Sequence, residues 1–428
     1  VSPTGPMSRR QALGTLGALA LPLAFPAPAS ASAALPGDPN AAPTQAIPDL
    51  GNLHGAIEWI ARENAPSLSF LDPRWKSLAA WKRAARPALL RALAFDPPRG
   101  PVRSEVVARE VRQGFTLETV RIRATPAYDI PARVLVPTGR RGRLPAVVAL
   151  HSHGGEYQWG SRKLVSSPDD PPALVDYRER LYGGRALADE LARRGFVVIA
   201  IDAFYFGERR LRPETQDAAA VPADGREAFR SLATLAEGSK ERHVTLNRVA
   251  GSFEPVVAKT LLAAGATWPG IIAWDDRRSV DYLASRPEVD PERIGCIGLS
   301  GGGLRAALLG AADPRVKAAC VTAWMTEWAP MLAKHARRHT WMAYAPLRGA
   351  LDLPDAAALV APGALLVQQA ARDTLFPMDG MRGAVEKLER TYAKAGIRER
   401  FRGTFHDAPH SFTPAMQEEA FAWLERWL

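Results

Sequence analysis

Gly298-Leu299-Ser300-Gly301-Gly302-Gly303 is the stretch that decides the reading of this chain. It contains G-x-S-x-G. It follows the apolar run Ile294-Gly295-Cys296-Ile297 and precedes Leu304-Arg305-Ala306-Ala307-Leu308-Leu309, which has helical character. Strand, sharp turn and helix is the setting in which the motif has mechanical meaning. A strained turn pushes the serine hydroxyl out over the end of a sheet. Glycines two residues away on either side let the backbones pass closely. The helix N-terminus then aims the Gly301 N–H at any oxyanion that develops beside the serine. The alternative is a glycine-rich loop that caps a helix and holds a serine by chance. The rest of the chain decides between the two.

A serine nucleophile needs a base, and the base needs an orienting acid. Asp373 stands just past the apolar run Ala364–Gln368, where a later strand would end. The segment Phe405-His406-Asp407-Ala408-Pro409-His410-Ser411-Phe412 offers two histidines. His410 is the expected base, because it lies immediately before the closing helical run. His406, nearer the strand end, is the alternative. The first core strand ends in Leu150-His151-Ser152-His153-Gly154-Gly155. H-x-H at a strand end can ligate a metal, but the remaining histidines supply no obvious further ligands. The favoured reading is the second half of an oxyanion hole, with the backbone N–H of His153 as donor beside that of Gly301 and Gly154 as the substitute for His153. The side chains of His151 and His153 receive no role. No metal is expected.

The chain has 428 residues, 47% of them hydrophobic and 23% charged, which suits one large globular domain with additions. The formal charge of +10 comes mostly from dispersed arginines. No basic block interleaves with aromatics, so no nucleic-acid partner is expected. The expected partner is a small-molecule or carbohydrate ester; the sequence does not give the oligomeric state. The two cysteines, Cys296 and Cys320, read as small buried hydrophobes rather than as a disulfide framework. Near the N-terminus, Ser8-Arg9-Arg10-Gln11-Ala12-Leu13 precedes a weakly apolar stretch to Phe25 and the small-residue site Ala31-Ser32-Ala33. Residues 1–33 read as a twin-arginine type signal peptide, which implies an exported, periplasmic or extracellular protein. Pro22 and Pro26 interrupt the apolar stretch, so no stable membrane span is expected in the mature chain.

Residues 34–50 read as a flexible lead-in and 51–98 as a helical preamble with Trp75, Leu78, Trp81, Leu89, Leu90 and Leu93 at helical spacing. From Ser104 to Val136 the pattern turns β-like. Strands are then expected at Ala146–Leu150, Phe196–Ile201, Ile294–Leu299, Ala318–Ala323, Ala364–Gln368 and Arg398–Thr404. Helices are expected at Leu181–Arg194, Ile271–Ser285, Leu304–Ala312, Gly380–Ala395 and Pro414–Leu428. This order predicts an α/β fold: a mixed, mostly parallel sheet with helices on both faces, spanning 51–428. Residues 207–270 fall between a strand and a helix, are polar and weakly periodic, and read as a lid-like insertion.

Four segments carry a family resemblance. They are HSHGGEYQWGSRK (His151–Lys163), DAFYFGER (Asp202–Arg209), DYLASRPEVDPERIGCIGLSGG (Asp281–Gly302) and DTLFP (Asp373–Pro377). Together they resemble bacterial α/β-hydrolases of the dienelactone hydrolase-like and acetyl xylan esterase-like group. The resemblance implies the α/β-hydrolase fold, a serine-type ester hydrolase and no cofactor, and the order Ser300, Asp373, His410 agrees with it. Two positions depart from the pattern. Ser300 stands where dienelactone hydrolases carry cysteine, and Gly301 where these acetyl xylan esterases show glutamine. The expected chemistry is acyl transfer through an acyl-enzyme. Trp159, Trp324, Trp328 and Trp341 follow strand ends and are expected to form an aromatic wall for a sugar or a bulky ester group, or else to pack the insertion against the body. Peptide or amide hydrolysis on the same fold and a non-catalytic binding scaffold are the alternatives.

Overall fold

The computed structural model describes residues 47–342 and 347–428. The signal-peptide reading of 1–33 and most of the lead-in 34–50 lie outside the described residues. One nine-stranded sheet organises the rest. Its strands are β1 Arg103–Arg112, β2 Phe115–Arg123, β3 Asp129–Pro137, β4 Leu144–Leu150, β5 Val197–Ile201, β6 Val289–Leu299, β7 Val316–Thr322, β8 Ala364–Ala370 and β9 Phe401–His406. They lie in the order β1-β2-β3-β5-β4-β6-β7-β8-β9. β1, β2 and β3 pair antiparallel, β3 meets β5 antiparallel, and every pair from β5 to β9 is parallel. This is the mixed, mostly parallel sheet the sequence predicts.

β4, β5 and the Ile294–Leu299 stretch of β6 are apolar because both faces are covered. In β4, Ala146, Val148 and Leu150 face one core while Val147 and Ala149 face the other. The parallel register sets the C-terminal ends of β4, β6, β7, β8 and β9 along one edge of the sheet. Cys296 and Cys320 are free and buried within β6 and β7.

Two sequence-level helix assignments change. The preamble holds helices His54–Glu63 and Leu78–Leu93 with an irregular stretch between them. The run Leu181–Arg194 is not one helix. Helix Pro172–Tyr182 ends at Gly183 and Gly184, both at positive φ (58° and 76°), and a second helix runs over Leu187–Arg193. Consecutive glycines in the left-handed region end a helix that the apolar spacing alone would continue. The final strand is also displaced to Phe401–His406, because Arg398–Arg400 form a 3-10 turn. Among the described residues no single helix is long and apolar enough to cross a membrane.

Helix Trp268–Ser285 is buried over most of its length and carries adjacent acids, Asp275 and Asp276. Arg305, on the helix that follows Ser300, donates to Asp276 through two nitrogens at 3.0 and 2.6 Å. Arg209, from the start of the insertion, donates to Asp275 at 2.6 Å. One core helix thereby ties the Ser300 turn to the insertion. Breaking a buried pair leaves an uncompensated charge. Arg305→Met should therefore lower unfolding stability by about 3–5 kcal/mol in urea titration.

Candidate active site

Ser300 is the turn between β6 and helix Gly301–Ala312, with φ 57° and ψ −118°. A non-glycine residue holds that conformation only where its surroundings impose it. Here they do. The Ser300 N–H donates to the Thr322 carbonyl at 2.8 Å, and the Ser300 carbonyl accepts from Leu304 N at 3.0 Å. The flanking glycines are obligatory. A Cβ on Gly298 would lie 2.3 Å from the Gly302 carbonyl, and one on Gly302 would lie 2.0 Å from the Leu150 oxygen.

The acid and the base arrive from neighbouring strand ends. Asp373 follows β8, and its side chain is fully buried. One carboxylate oxygen accepts from Leu375 N at 2.8 Å, and the other meets His410 Nδ1 at 2.6 Å. A carboxylate cannot donate, so His410 carries its proton on Nδ1 and presents Nε2 as a lone pair. His410 stands between β9 and helix Pro414–Trp427. His406 is elsewhere in chemistry though near in sequence. It is the last residue of β9, and its Nε2 meets Glu419 at 3.0 Å and Thr404 Oγ1 at 3.1 Å.

The loop after β4 runs against the Ser300 turn. A Cβ on Gly301 would lie 3.0 Å from His153 N. Among the described residues neither the Gly301 N–H nor the His153 N–H has an acceptor. The direction of the His153 N–H has a cause the sequence did not reveal. Lys163, fully buried, donates to the Ser152 carbonyl at 2.8 Å and to the His153 carbonyl at 3.0 Å. A trans peptide points its C=O and the following N–H in opposite directions. Lys163 therefore turns the N–H groups of His153 and Gly154 away from itself. Burial pushes the Lys163 ammonium down to about 7.

Both unassigned histidines of this loop are committed within the protein. His151 Nε2 accepts from Ala203 N at 3.2 Å, and its Nδ1 lies 3.0 Å from the Ser152 carbonyl. His153 Nδ1 accepts from Gly155 N at 3.0 Å, so its Nε2–H donates to Glu254 at 2.5 Å. Tyr157 donates to the same Glu254 oxygen at 2.6 Å. Burial alone would raise the Glu254 carboxyl, but the His153 and Tyr157 contacts outweigh it and hold the group below its ordinary range. Glu254 belongs to the insertion. So does Asn247, whose side-chain oxygen accepts from Tyr157 N at 2.9 Å. Asp202 fastens the remaining loop. Its Oδ1 accepts from Ser161 N and Oγ at 2.6 and 2.8 Å, and its Oδ2 from Glu208 N at 2.9 Å.

The tryptophans of the expected wall are dispersed. Trp324 is 1% exposed, and its Cβ would sit 2.9 Å from a Cβ on Gly303. It packs the first turn of the helix after Ser300 into the core. Trp159 stacks flat on His243, with centroids 4.4 Å apart, beside a cavity of about 280 Å³ that Lys240 and Arg242 also border. Trp328 is half-buried at the start of helix Trp328–Met331, where its backbone N–H donates to Asp352 at 3.0 Å. Trp341, the fourth of them, is stacked on His153 at 5.4 Å.

A family model described as the dienelactone hydrolase family matches residues 181–423. The chain belongs to the dienelactone hydrolase family. This makes it a hydrolase. It is 28% identical over 346 residues to YtaP of Bacillus subtilis, described as a hydrolase, covering 80% of this chain and 98% of that one. Two solved structures share the fold. One, from Bacteroides fragilis and described as an acetyl xylan esterase, is 17% identical with a TM-score of 0.60 over 84% of each chain. The other, a glucuronoyl esterase from Solibacter usitatus, is 16% identical with a TM-score of 0.55, covering 82% of this chain and 94% of that one. The architecture is the α/β-hydrolase fold.

The Gly302–Leu150 approach predicts a sharp stability effect in this hydrolase. Backbone lies on both sides of the position, so neither can yield as a side chain would. Gly302→Ala should destabilise the fold by about 3 kcal/mol or more, read from urea unfolding.

Proposed function

We propose that this hydrolase cleaves carboxylic esters through Ser300, His410 and Asp373 by way of an acyl-enzyme. The observation that carries the reading is the 2.6 Å contact from His410 Nδ1 to the buried Asp373 carboxylate. It fixes the tautomer in which Nε2 can take a proton, on the sheet edge where the strained turn presents Ser300. His410 removes the Ser300 hydroxyl proton as Oγ attacks the ester carbonyl. Asp373 holds the imidazole and stabilises the imidazolium. The N–H groups of Gly301 and His153 receive the oxyanion. His410 returns the proton to the leaving alcohol, then activates the water that releases the acid.

Acylated carbohydrate is the substrate class this reading favours. The Bacteroides fragilis and Solibacter usitatus structures that share the fold are described as an acetyl xylan esterase and a glucuronoyl esterase. Export by the twin-arginine route is part of the same proposal, supported by Arg9-Arg10 ahead of a weakly apolar run.

Ser300→Ala and His410→Ala should each lower kcat for p-nitrophenyl acetate by roughly a thousand-fold or more. Asp373→Asn should leave measurable turnover, and His406→Ala should leave turnover intact. A fluorophosphonate should label the wild type and not Ser300→Ala. If His406→Ala abolishes turnover and His410→Ala does not, the base assignment fails.

Lys163→Met keeps the length of the side chain but strips the two loop carbonyls of their donor. It should lower kcat for the same ester roughly a hundred-fold with little change in KM, the loss expected when one oxyanion donor is misdirected. Steady-state kinetics alongside thermal unfolding would separate this from loss of fold.

A further inference from the structure

His339 is 4% exposed, and its Nδ1 has no hydrogen-bond partner among the described residues. Its other nitrogen is committed. His339 Nε2 lies 3.2 Å from the Leu375 carbonyl, which also takes His335 Nδ1 at 3.0 Å. A carbonyl oxygen only accepts, so Nε2 carries the hydrogen and Nδ1 is a bare lone pair. Burial, foremost, together with the neighbouring His153, His335 and His410, pushes the His339 pKa down to about 4 against the opposing pull of the Leu375 carbonyl. The ring is neutral at physiological pH, and Nδ1 can only accept.

The ring sits between the two halves of the site. On one side it stacks on Phe376, with centroids 4.8 Å apart and planes 12° apart, and Phe376 lies 6.3 Å from the His410 ring. On the other side it meets the edge of Trp341 at 6.1 Å, and Trp341 stacks on His153. A buried acceptor without a donor is destabilising, and native proteins rarely leave one unfilled. The ester carbonyl cannot fill it, because that oxygen also only accepts. A hydroxyl elsewhere on the substrate can.

We propose that His339 Nδ1 accepts a hydrogen bond from a free hydroxyl of the substrate near the scissile ester, making His339 a specificity-determining residue for hydroxyl-bearing esters such as partly acylated carbohydrates. This rests on the serine esterase reading. A site that hydrogen-bonds a hydroxyl discriminates against the analogue lacking it, because its own polar group is then left unpaired.

The test uses matched ester pairs that differ by one hydroxyl: cyclohexyl acetate with trans-2-hydroxycyclohexyl acetate, and methyl cyclohexanecarboxylate with methyl 2-hydroxycyclohexanecarboxylate. The wild type should favour the hydroxylated member of at least one pair in kcat/KM by roughly ten-fold or more. His339→Phe keeps the stacking on Phe376 and removes the acceptor, so it should bring that ratio to near unity. His339→Asn, which can place an amide oxygen near the Nδ1 position, should restore part of the ratio. A second readout avoids both variants. In Ser300→Ala protein labelled with ¹⁵N-histidine, the hydroxylated ester should shift the His339 Nδ1 resonance upfield and its unhydroxylated partner should not. A ratio of unity for the wild type in both pairs, an equal loss on both members in His339→Phe, or an unmoved Nδ1 resonance would each overturn the inference. Undiminished turnover in Ser300→Ala would overturn the esterase mechanism instead, and the wild-type ratio would still report on His339.

Discussion

The contact on which this site depends is between two backbones. Helix Gly301–Ala312 begins so close to the end of β4 that a methyl group at position 302 would fall 2.0 Å from the Leu150 oxygen. Only glycine permits that approach. From it the rest of the geometry follows. The chain must leave β6 and enter the helix within one residue, so Ser300 takes the strained conformation. The loop leaving β4 is brought beside Gly301, so the His153 N–H and the Gly301 N–H become neighbours. Neither has an acceptor within the described protein, and a helix N-terminus adds its own positive field.

Buried charge does the second part of the positioning. Lys163 is a lysine wholly removed from water, a costly placement by itself. Its two carbonyl acceptors and the faces of Phe206 and Tyr177, 4.6 and 5.3 Å from Nζ, are its compensation. Asp275 and Asp276 are compensated by arginines from different segments, Arg209 and Arg305. Burial still pushes both carboxyls above their ordinary range. Charges of this kind are weak evidence for stability, but removing one partner is severe, which makes each pair specific to one arrangement.

The features legible in the sequence are those with local causes. β4, β6, β7 and β8 were readable because strands covered on both faces are continuous apolar runs. The Ser300 turn was readable because close backbone contact demands glycine at fixed spacing. Asp373 and His410 could be placed by their distance from strand ends. The features that escaped have distant causes. Glu254 meets His153 across 101 residues of sequence. Lys163 sits inside a segment that resembles the family, yet nothing in its neighbours marks it as buried. The break at Gly183-Gly184 is the exception: its cause is local, two consecutive glycines inside an apolar spacing that continues past them. Trp324 follows a strand end, but Thr322, Gly303 and the core beneath them turn it inward. Position along a strand locates a residue near the site without saying which way its side chain goes.

A preorganised donor is effective only if its peptide cannot rotate when charge develops beside it. The turn at 152–155 is held against rotation from several directions. Lys163 takes its carbonyls. Tyr182 accepts from Ser152 N at 3.1 Å and donates to Ser152 Oγ at 2.8 Å, while Tyr177 shares a 2.7 Å hydrogen bond with the same oxygen. Both tyrosines come from helix Pro172–Tyr182, whose end is set by the two glycines that follow it. Glu254 and Asn247 reach in from the insertion to fix His153 and Tyr157. The insertion is therefore coupled to the loop after β4 by polar contacts. A rearrangement of residues 240–254 would have to break the His153–Glu254 hydrogen bond, so any opening of that segment would alter the loop that faces Ser300.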